Sequence, residues 1–428
     1  MPLATDTLKP IPPQAEASAF PVERIRARFP ALSRAAPFVY FDNAAGAQAP
    51  QNVLDAVARH LLDFNVQRGG PYPKSIEVSR VIAEARVKVA ALLNAYDPSE
   101  VAFGMNATSF IRLTSLAINE TLKPERAEII VTDLDHDSNI ATWRALKGPN
   151  VTFAWWRMRD DGKLYVEDLI PLLSGKTRLV ACTVVSHALG SLVDVTAVAK
   201  AAHAVGAEVF LDCVHYGPHG LIDVRAWDCD YLVCSGYKTF SPHMGFMWGK
   251  REKLIKLPTF REDFIPDEPP YKIEAGTFIY ENVAGMAAAV DYLGALGSEL
   301  SAGTGQPNLR SCIASAMSGI REYEQTLSRA MLTTLRTHGA TIYGLSDPKA
   351  AHERVPTFCF NLGERAPSEV TKAFAQADIG LRHGHLYAPR LMGRLGLSMD
   401  RGAVRASLVH YNTVEEIQRF ADVVRTLT

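Results

Sequence analysis

The stretch DYLVCSGYKTFSPHMGFMWGK, residues 230–250, joins an apolar run to a single lysine. The run YLVCS has the composition of a strand covered on both faces of a sheet. We expect the strand to end at Lys238, and Ser241 followed by Pro242 then predicts a turn. Burial disfavours a charged ammonium group, so a lysine in this place is unfavourable for stability. The stretch therefore predicts a buried strand that presents a chemically active lysine.

The chain before this stretch alternates strands and helices. Apolar runs at 127–133, 177–186 and 206–212 have the length of strands, and 194–206 has an apolar helical face that ends at a glycine. Strand, helix and strand at this spacing form a βαβ unit, and the strands lack polar alternation. The sequence therefore predicts an α/β fold with a mostly parallel sheet covered by helices on both faces.

Two charged residues end strands at the same edge of this sheet. Asp212 ends the run at 206–212, and Lys238 ends the next strand along the chain. Ligands of parallel sheets bind at the carboxyl ends of the strands. An aspartate and a lysine placed together suit pyridoxal 5′-phosphate (PLP), because the lysine forms a Schiff base and the aspartate keeps the pyridine nitrogen protonated. A structural salt bridge explains the pair equally well at this point.

Two further segments carry groups suited to a phosphate and to an aromatic ring. The segment GMNATSFIRLTSLAI, 104–118, begins a helix whose start, Asn106, Ala107 and Thr108, offers free backbone N–H groups to a phosphate. A plain helix cap is the alternative. His136 follows the strand at 127–133, where it would lie over a cofactor ring or serve as an ordinary loop residue. Their coincidence with the Asp–Lys pair favours a PLP site.

The composition argues against several broad classes of protein. The 428 residues include 45 basic and 46 acidic ones, so the net charge of -1 argues against binding nucleic acid or a membrane surface through bulk charge. No apolar run approaches the ~20 residues of a membrane helix. None of the six cysteines forms a CxxC pair. They indicate reduced, buried thiols of a cytoplasmic protein.

We expect three regions along the chain. Residues 1–35 form a Pro- and Ala-rich lead-in that is partly flexible and packs on the small domain. Residues 36–297 form a large PLP-binding domain. A Gly/Ser-rich break follows Gly297, and residues 298–428 then read as a smaller α+β domain.

In order along the chain, these segments resemble the class V aminotransferases, and within them the cysteine desulfurase-like proteins. The resemblance runs from about residue 39 to the C-terminus, and it implies the fold type I architecture of PLP-dependent transferases. The segments that carry it are FDNAAGAQAP (41–50), NAT (106–108), DHDSN (135–139), SHALG (186–190), LDCVHYGPHGLIDV (211–224), SGYK (235–238), EAGTFIYENVAG (274–285) and VRASLVHYNTVEEI (404–417).

The resemblance implies a role for each segment around the cofactor. Lys238 would form the Schiff base, Asp212 would bind the pyridine nitrogen, and His136 would stack on the ring. The remaining contacts to the phosphate and the ring oxygen would come from Ala107, Thr108, His187, His215, Ser235 and Tyr237.

Two further segments imply a second subunit and a substrate. Gly276 and Thr277 match the segment that reaches the phosphate of the neighbouring subunit, which implies a homodimer with shared active sites. Arg405 matches the residue that binds the carboxylate of a small amino acid through its planar fork.

The chain departs from the family pattern beside the ring and the phosphate. His187 stands where the family has an asparagine, and an imidazole titrates near neutral pH, so we expect an unusual pH profile. Tyr237 replaces a histidine on the phosphate side, and its hydroxyl can also donate a hydrogen bond.

A third departure concerns the reaction. The stretch LRHGHLYAPRLMGRLGL, 381–397, keeps Gly384 and His385 of the desulfurase loop, but Leu386 and Tyr387 follow and no cysteine lies beyond Ile379. Neither side chain can replace a sulfur-accepting thiolate. Cys312 or Cys359 would have to supply the thiolate instead. The segments resemble the desulfurase-like branch that lacks the loop cysteine.

Residues of the same loop have two interpretations. His385, Tyr387 and Arg390 read the substrate side chain, or they only cap the pocket. The sequence therefore predicts a PLP-dependent enzyme for a small amino acid, with transamination as the first hypothesis. C–S lyase (cysteine desulfurase-like) or racemase chemistry is the alternative, and a catalytically silent PLP-binding protein is another. A metallohydrolase built on DLDHDSN and HGH would leave the lysine without a role.

Overall fold

The computed structural model describes residues 20–146, 148, 151–301 and 308–428. Short strands alternate with helices through most of these ranges. The strands are β1 Val39–Tyr40, β2 Val101–Gly104, β3 Glu128–Thr132, β4 Thr152–Trp156, β5 Thr177–Thr183, β6 Glu208–Asp212, β7 Tyr231–Ser235, β8 Gly245–Gly249, β9 Thr341–Tyr343, β10 Thr357–Asn361, β11 Ile379–Gly380, β12 Arg382–Gly384 and β13 Ala403–Ser407.

The helices include two long ones that connect the two halves of the chain, α11 and α12. The α-helices of the described ranges are α1 Val22–Arg26, α2 Pro30–Arg34, α3 Gln51–Asp63, α4 Pro73–Leu93, α5 Ala107–Asn119, α6 Ser138–Arg144, α7 Val166–Leu169, α8 Val195–Ala204, α9 Val224–Trp227, α10 Arg251–Lys256, α11 Tyr280–Leu300, α12 Leu309–Thr337, α13 Pro367–Gln376, α14 Pro389–Arg394 and α15 Val414–Leu427. None of the described helices is long and apolar enough to cross a membrane.

Seven strands form one large sheet in the order β2-β8-β7-β6-β5-β3-β4. The pairs β7-β6, β6-β5, β5-β3 and β3-β4 are parallel, and β8 runs antiparallel to both of its neighbours. The predicted α/β fold with a mostly parallel sheet is therefore confirmed. Thr183, Asp212 and Val233 lie side by side in the register of the three central strands, so the ends of these strands meet at one edge.

Helices cover both faces of this sheet, as the unbroken apolar strands predict. In β6, Val209 and Leu211 belong to one buried cluster and Phe210 belongs to the cluster on the other face. All three are fully buried. Successive side chains of a strand point to opposite faces, so a strand without polar alternation needs apolar cover on both sides.

A second, four-stranded antiparallel sheet lies in the C-terminal part, in the order β12-β13-β10-β9. Helices α12, α13 and α15 contribute to a separate apolar cluster around Phe358 and Phe360 of β10. The smaller α+β unit is thus present. Strand β1 pairs with β11, Val39 opposite Ile379. The exact division into 36–297 and 298–428 stays a prediction.

The described part of the N-terminal lead-in lies against C-terminal elements. Phe20 stacks on Tyr323 of α12, with ring centroids 4.6 Å apart. Arg26 forms a salt bridge of 2.9 Å with Glu416 at the start of α15. Residues 1–19 lie outside the described residues, so the predicted flexibility of the lead-in stays a prediction.

The start of α5 is fixed against the large sheet by a close backbone approach. Asn106 caps the helix, accepting a hydrogen bond from the backbone N–H of Ser109, and the Ser109 side chain completes a capping box. A Cβ atom at Gly245 of β8 would lie 2.6 Å from the Asn106 backbone. Only glycine allows this approach, which holds the helix N-terminus over the ends of the strands.

Candidate active site

A polar cavity opens where the central strands of the large sheet end. Its volume, counted with the open solvent at its mouth, is about 420 Å³. The lining residues come from five segments that are far apart in sequence. They are Ala107, Thr108, His136, Ser138, Thr183, His187, Asp212, Val214, His215, Ser235, Tyr237 and Lys238.

Lys238 lies one turn beyond the strand in which the sequence placed it. Strand β7 ends at Ser235, and Gly236 to Lys238 form a 3₁₀ turn. The turn closes because the Thr239 and Ser241 N–H groups both donate to the Gly236 carbonyl, at 2.7 and 3.1 Å. The prediction that Lys238 ends the strand is therefore wrong by three residues. The turn carries the lysine from the apolar strand to the cavity wall.

The environment of Lys238 favours a neutral amine. The side chain is buried, and burial, with a further contribution from the charge of Arg405, lowers its pKa to about 8. Asp212 opposes the shift but forms no hydrogen bond with the lysine. A neutral amine is nucleophilic, so the geometry suits covalent attachment to an aldehyde.

Asp212 is the last residue of β6 and is also buried. Burial raises its pKa, while the Val214 N–H, 3.0 Å from Oδ1, and the charge of Lys238 oppose the rise. Its carbonyl accepts a hydrogen bond from the Val184 N–H at 2.9 Å. The carboxylate is held rigidly but is not neutralised, so it is available to a cationic ring nitrogen.

Helix α5 points its N-terminus into the cavity. Ala107 and Thr108 are its first two residues and line the cavity. Ser235 Oγ accepts a hydrogen bond of 3.3 Å from the Ala107 N–H, which joins the end of β7 to the helix. N–H groups at a helix start, the helix dipole and a hydroxyl at one point suit a phosphate.

His136 is held in one tautomer by the residue two positions later. Its Nδ1 accepts a hydrogen bond from the Ser138 N–H at 3.1 Å, and Ser138 Oγ lies 2.8 Å from the same nitrogen. Burial, with the charges of Lys238 and Arg405, lowers its pKa to about 4. The ring is therefore neutral near pH 7. A neutral aromatic ring at this wall of the cavity is suited to stack on another ring.

His187 behaves differently from the sequence-based expectation. Its Nε2 lies 2.8 Å from the Leu386 carbonyl, and a carbonyl only accepts, so Nε2 carries the proton. Burial, with the charges of His136, Lys238 and Arg405, lowers its pKa well below the ordinary value. The predicted titration near neutral pH is therefore wrong. The remaining nitrogen, Nδ1, presents a lone pair and cannot donate.

His215 lines the cavity from the segment after β6. Its Nε2 lies 2.9 Å from Thr357 Oγ1, and its buried Nδ1 has no hydrogen-bond partner among the described residues. Burial and several nearby positive groups, His219 first, lower its pKa well below the ordinary value. A buried polar atom without a partner is costly, so Nδ1 is an available contact for a bound group.

Arg405 lies behind this wall rather than in the cavity lining. It is buried on β13, and its Nη1 donates to the His187 carbonyl at 3.1 Å. Its Nη2 is 3.1 Å from Asp42 Oδ1. Asp42 also binds Arg382, whose Nη2 is 2.8 Å from Oδ2. The predicted carboxylate-binding arginine is therefore already part of an ion-pair cluster.

Besides Arg405, four predicted site residues do not line the cavity. Gly276 and Thr277 are exposed, and Thr277 Oγ1 accepts a hydrogen bond of 2.7 Å from Gln67. His385 is exposed on the loop after β12, and its Nδ1 accepts from the Tyr387 N–H at 3.1 Å. Tyr387 is 47% exposed and stacks on His136 with ring centroids 5.7 Å apart.

Arg390, also predicted on this loop, lies farther from the cavity. Its guanidinium carbon is 5.9 Å from the centre of the Trp155 ring. Tyr387 is the predicted loop residue whose side chain stacks on a cavity-lining ring, that of His136. The loop caps one side of the site, and its backbone carbonyls at Leu386 and Tyr387 bind His187 and the Asp137 N–H.

The two alternative cysteines are poorly suited to sulfur transfer. Cys359 lies on β10, directly opposite Arg405 of β13, and is fully buried. Burial raises its pKa to about 12 despite the nearby guanidinium. Cys312 is buried in helix α12. All six cysteines are free and buried, so none is presented as a thiolate.

The sequence also suggested a cluster of metal ligands around DLDHDSN. In the described ranges, no group of three or more His, Cys, Asp or Glu side chains has an arrangement suited to a metal ion. Asp135 instead accepts hydrogen bonds from Thr132 and Asn139, the latter at 2.7 Å. These contacts stabilise the turn that presents His136.

Sequence reasoning missed several residues of the site. Ser138 was inside a quoted motif, and its spacing of two from His136 was the signal that it holds the ring. Thr183 ends β5 beside Asp212, so the parallel register would have found it. Asp42 and Arg382 come together only through tertiary contacts, 340 positions apart.

Comparisons with known proteins agree with this geometry. The Aminotransferase class-V family matches residues 39–420. An aminotransferase-like protein of Gibberella zeae is 34% identical over 94% of this chain and 97% of its own length. A cysteine desulfurase of Pectobacterium atrosepticum is 31% identical over 94% and 96%.

Solved structures give the same fold. The apo cysteine desulfurase of Thermococcus onnurineus matches with a TM-score of 0.83 and 24% identity, over 95% of this chain and 97% of that one. The cysteine desulfurase CsdA of Escherichia coli matches with a TM-score of 0.79 and 24% identity, over 95% and 98%. The predicted large and small units are those of PLP-dependent enzymes of fold type I.

The residues present fit PLP. The cavity has a helix N-terminus for the phosphate and an unneutralised carboxylate on Asp212 for the ring nitrogen. It also holds a buried amine of lowered pKa on Lys238 and an unpartnered buried nitrogen on His215. On the family match over residues 39–420 and these residues, the chain belongs to the class V aminotransferases and is a PLP-dependent enzyme that acts on amino acids.

Proposed function

We propose that this enzyme transfers the amino group of a small amino acid, with PLP attached to Lys238. The observation that carries the proposal is the buried amine of Lys238, whose pKa falls to about 8 through burial first and through Arg405 second. An amine with this pKa is neutral part of the time near neutral pH. It can therefore both attack an aldehyde and, when released, accept a proton.

PLP, when bound, supplies an electron sink for the bonds at the substrate Cα. The residues of this chain then have separate tasks. Asp212 keeps a proton on the ring nitrogen, the N–H groups of Ala107 and Thr108 with Ser235 and Tyr237 bind the phosphate, and His136 covers one face of the ring. Lys238 takes the proton from the substrate Cα and returns it to an adjacent atom.

His187 and His215 divide the contacts near the ring oxygen. His187 presents a nitrogen that only accepts, because Nε2 already donates to Leu386. His215 has a free Nδ1, and its Nε2 can accept from the Thr357 hydroxyl. In that tautomer Nδ1 carries the proton. We therefore assign the hydrogen bond to the ring oxygen to His215 rather than to His187.

Transamination ranks above desulfuration because no thiolate faces the cavity. The loop that follows β12 carries Leu386 and Tyr387, and the buried thiol of Cys359 has a pKa of about 12. C–S lyase and racemase chemistry need no loop cysteine and remain the second candidates. A silent PLP-binding protein is disfavoured because Arg405 keeps an available guanidinium Nε beside the site.

An absorbance titration tests the proposal. The purified protein is loaded with PLP and titrated with L- and D-amino acids, including cysteine, while products are analysed. We expect one class of small amino acid to shift the band and give a keto acid. Release of sulfide or racemised amino acid would replace transamination with the second candidates, and a band that no amino acid shifts would leave a silent binder.

We further propose a homodimer in which Gly276 and Thr277 contact the cofactor phosphate of the partner. Both residues are exposed here, and Gly276 adopts a positive φ of 61° that glycine allows. Phe260 and Phe264 of the preceding segment are 87% and 82% exposed, which suits an interface. Sedimentation should give a dimer, and a fully active monomer would contradict it. The cytoplasmic location remains a prediction from the free cysteines.

A further inference from the structure

Asp42 holds two arginines beside the active site. Its Oδ1 is 3.1 Å from Arg405 Nη2, and its Oδ2 is 2.8 Å from Arg382 Nη2. Arg382 Nη1 also donates to the Tyr387 hydroxyl at 3.2 Å. The cluster therefore joins strand β13, strand β12 and the segment after β1 into one charged group with two guanidinium ions and a single carboxylate.

The Arg405 guanidinium is only partly used in this arrangement. Nη1 donates to the His187 carbonyl and Nη2 to Asp42, but Nε is buried and has no hydrogen-bond partner among the described residues. A carboxylate binds an arginine best through two parallel hydrogen bonds. Asp42 thus occupies one position of a two-position edge, and the other position, Nε, is left without a partner and is the one that a substrate carboxylate would take.

Asp42 and Arg382 are the partly exposed members of the cluster, whereas Arg405 is buried. Asp42, with a side chain 24% exposed, lines an open cavity of about 660 Å³ together with Gly46. The same segment contacts the turn that carries Lys238, because the Ala47 N–H donates to the Tyr237 carbonyl at 3.0 Å. Asp42 also contributes to the electrostatic field at Lys238.

The charges in the cluster decide how many carboxylates it accepts. Arg382 and Arg405 carry two positive charges and Asp42 carries one negative charge, so one positive charge remains. One substrate carboxylate balances it. A second carboxylate would meet Arg382 already neutralised and would be repelled by Asp42, and like charges in a partly buried site disfavour each other.

We propose that Asp42 is a specificity-determining residue, which neutralises Arg382 and restricts the site to amino acids with one carboxylate. This inference rests on the proposed function, because it takes Arg405 as the residue that binds the substrate α-carboxylate. Arg382 is then a latent second carboxylate site. Removing the charge of Asp42 opens the enzyme to dicarboxylic amino acids.

The test compares two amino acids that differ in charge but hardly in shape. The PLP-loaded enzyme is titrated with L-asparagine and with L-aspartate, and half-saturation is read from the absorbance change. We expect the wild-type enzyme to bind asparagine at least tenfold more tightly, and Asp42→Asn to shift the ratio by at least tenfold toward aspartate. Asp422→Asn removes an exposed partner of Arg425, 2.8 Å away, and is the matched control that leaves the ratio unchanged.

A double variant identifies the second carboxylate site. Asp42→Asn combined with Arg382→Gln leaves Arg405 alone, so the gain for aspartate should disappear. A gain that survives in the double variant would overturn the role of Arg382. A wild-type enzyme that prefers aspartate would overturn the proposal without any variant, and so would an unchanged ratio in Asp42→Asn.

The outcomes also separate this inference from the proposed function. If amino acids shift the absorbance band but asparagine and aspartate bind equally, only the role of Asp42 fails. If no amino acid shifts the band of the PLP-loaded enzyme, the proposed function fails and this inference fails with it.

Discussion

The two edges of the large sheet carry similar residues in opposite electrostatic states. Strands β6 and β7 begin near Glu208 and Asp230, and they end near Asp212 and Lys238. At the starting edge, charged groups neutralise one another. At the ending edge, an acid and an amine are buried without an ion pair. The same strands thus supply a stable edge and a reactive one.

At the starting edge, ion pairs outweigh the cost of burial. Glu208 binds Arg178 at 2.5 Å and Lys253 at 2.9 Å. Burial would raise the pKa of Glu208, but the charge and hydrogen bond of Arg178, with those of Lys253, lower it overall. In the same way, Asp228 and Asp230 raise the pKa of Lys250 against the effect of burial.

At the ending edge, burial is the main cause of the pKa shifts. It lowers the pKa of Lys238 and raises that of Asp212, and their mutual attraction only reduces both shifts. Groups held away from their favoured charge states mark functional sites. The comparison teaches that residue type and sheet position alone do not identify the site. The site is identified by charged groups that are buried without neutralising partners.

The largest effect is expected when Lys238, the lysine of the ending edge, is replaced. Lys238→Ala should remove the absorbance band of attached PLP and lower activity by at least about 10³-fold, because both the attachment point and the proton carrier are lost. Thermal unfolding should show that the fold is retained. An unchanged spectrum would contradict the site assignment.

Arg405→Ala tests whether Arg405 of β13, which lies behind the cavity at the ending edge, binds the substrate carboxylate. We expect amino acids to bind about 2–5 kcal/mol more weakly, the range for removing one partner of a buried charge pair. An amine of similar size without a carboxylate is the control and should be unaffected. Equal losses for both ligands would indicate a general structural effect, and no loss for either would remove Arg405 from the pocket.

The pH dependence of the PLP-free protein sharpens the comparison. Lys238 loses its proton near pH 8 in the folded protein and near pH 10.5 when unfolded. Between these values the unfolded chain binds more protons, so this group makes stability rise with pH, by about 3 kcal/mol across the window. The free energy of unfolding of the wild type and of Lys238→Met should be measured with denaturant from pH 7 to 10.5. The difference between the two free energies should shrink by this amount over that range. A constant difference would show that burial does not shift the lysine.

The smallest effect is expected at the starting edge. Lys253→Ala removes pairs with Glu208 and Asp230 at 2.9 and 3.4 Å, and Lys253 is 29% exposed. We expect a loss of stability of up to about 1 kcal/mol, which added salt should reduce. The PLP band and activity should match the wild type. A loss of PLP binding would show that the two edges are coupled.

The sequence by itself determined the fold class and most of the cavity wall. Unbroken apolar strands separated by amphipathic helices require a covered parallel sheet, and the ends of such strands meet at one edge. That reasoning located Asp212 and Lys238, and the motifs located Ala107, Thr108, His136 and Ser235. The strand ends follow from local periodicity, which a sequence displays directly, and the roles of the motif residues follow from the resemblance to the family.

Only the tertiary structure decided how these groups are charged and which distant residues join them. The neutral state of His187 depends on burial, and its tautomer depends on the Leu386 carbonyl, 199 positions away. The Arg382–Asp42–Arg405 cluster exists because β12 pairs with β13 and the segment after β1 lies beside them. Ionisation depends on solvent exposure and on neighbours in space, and neither property is encoded by spacing along the chain.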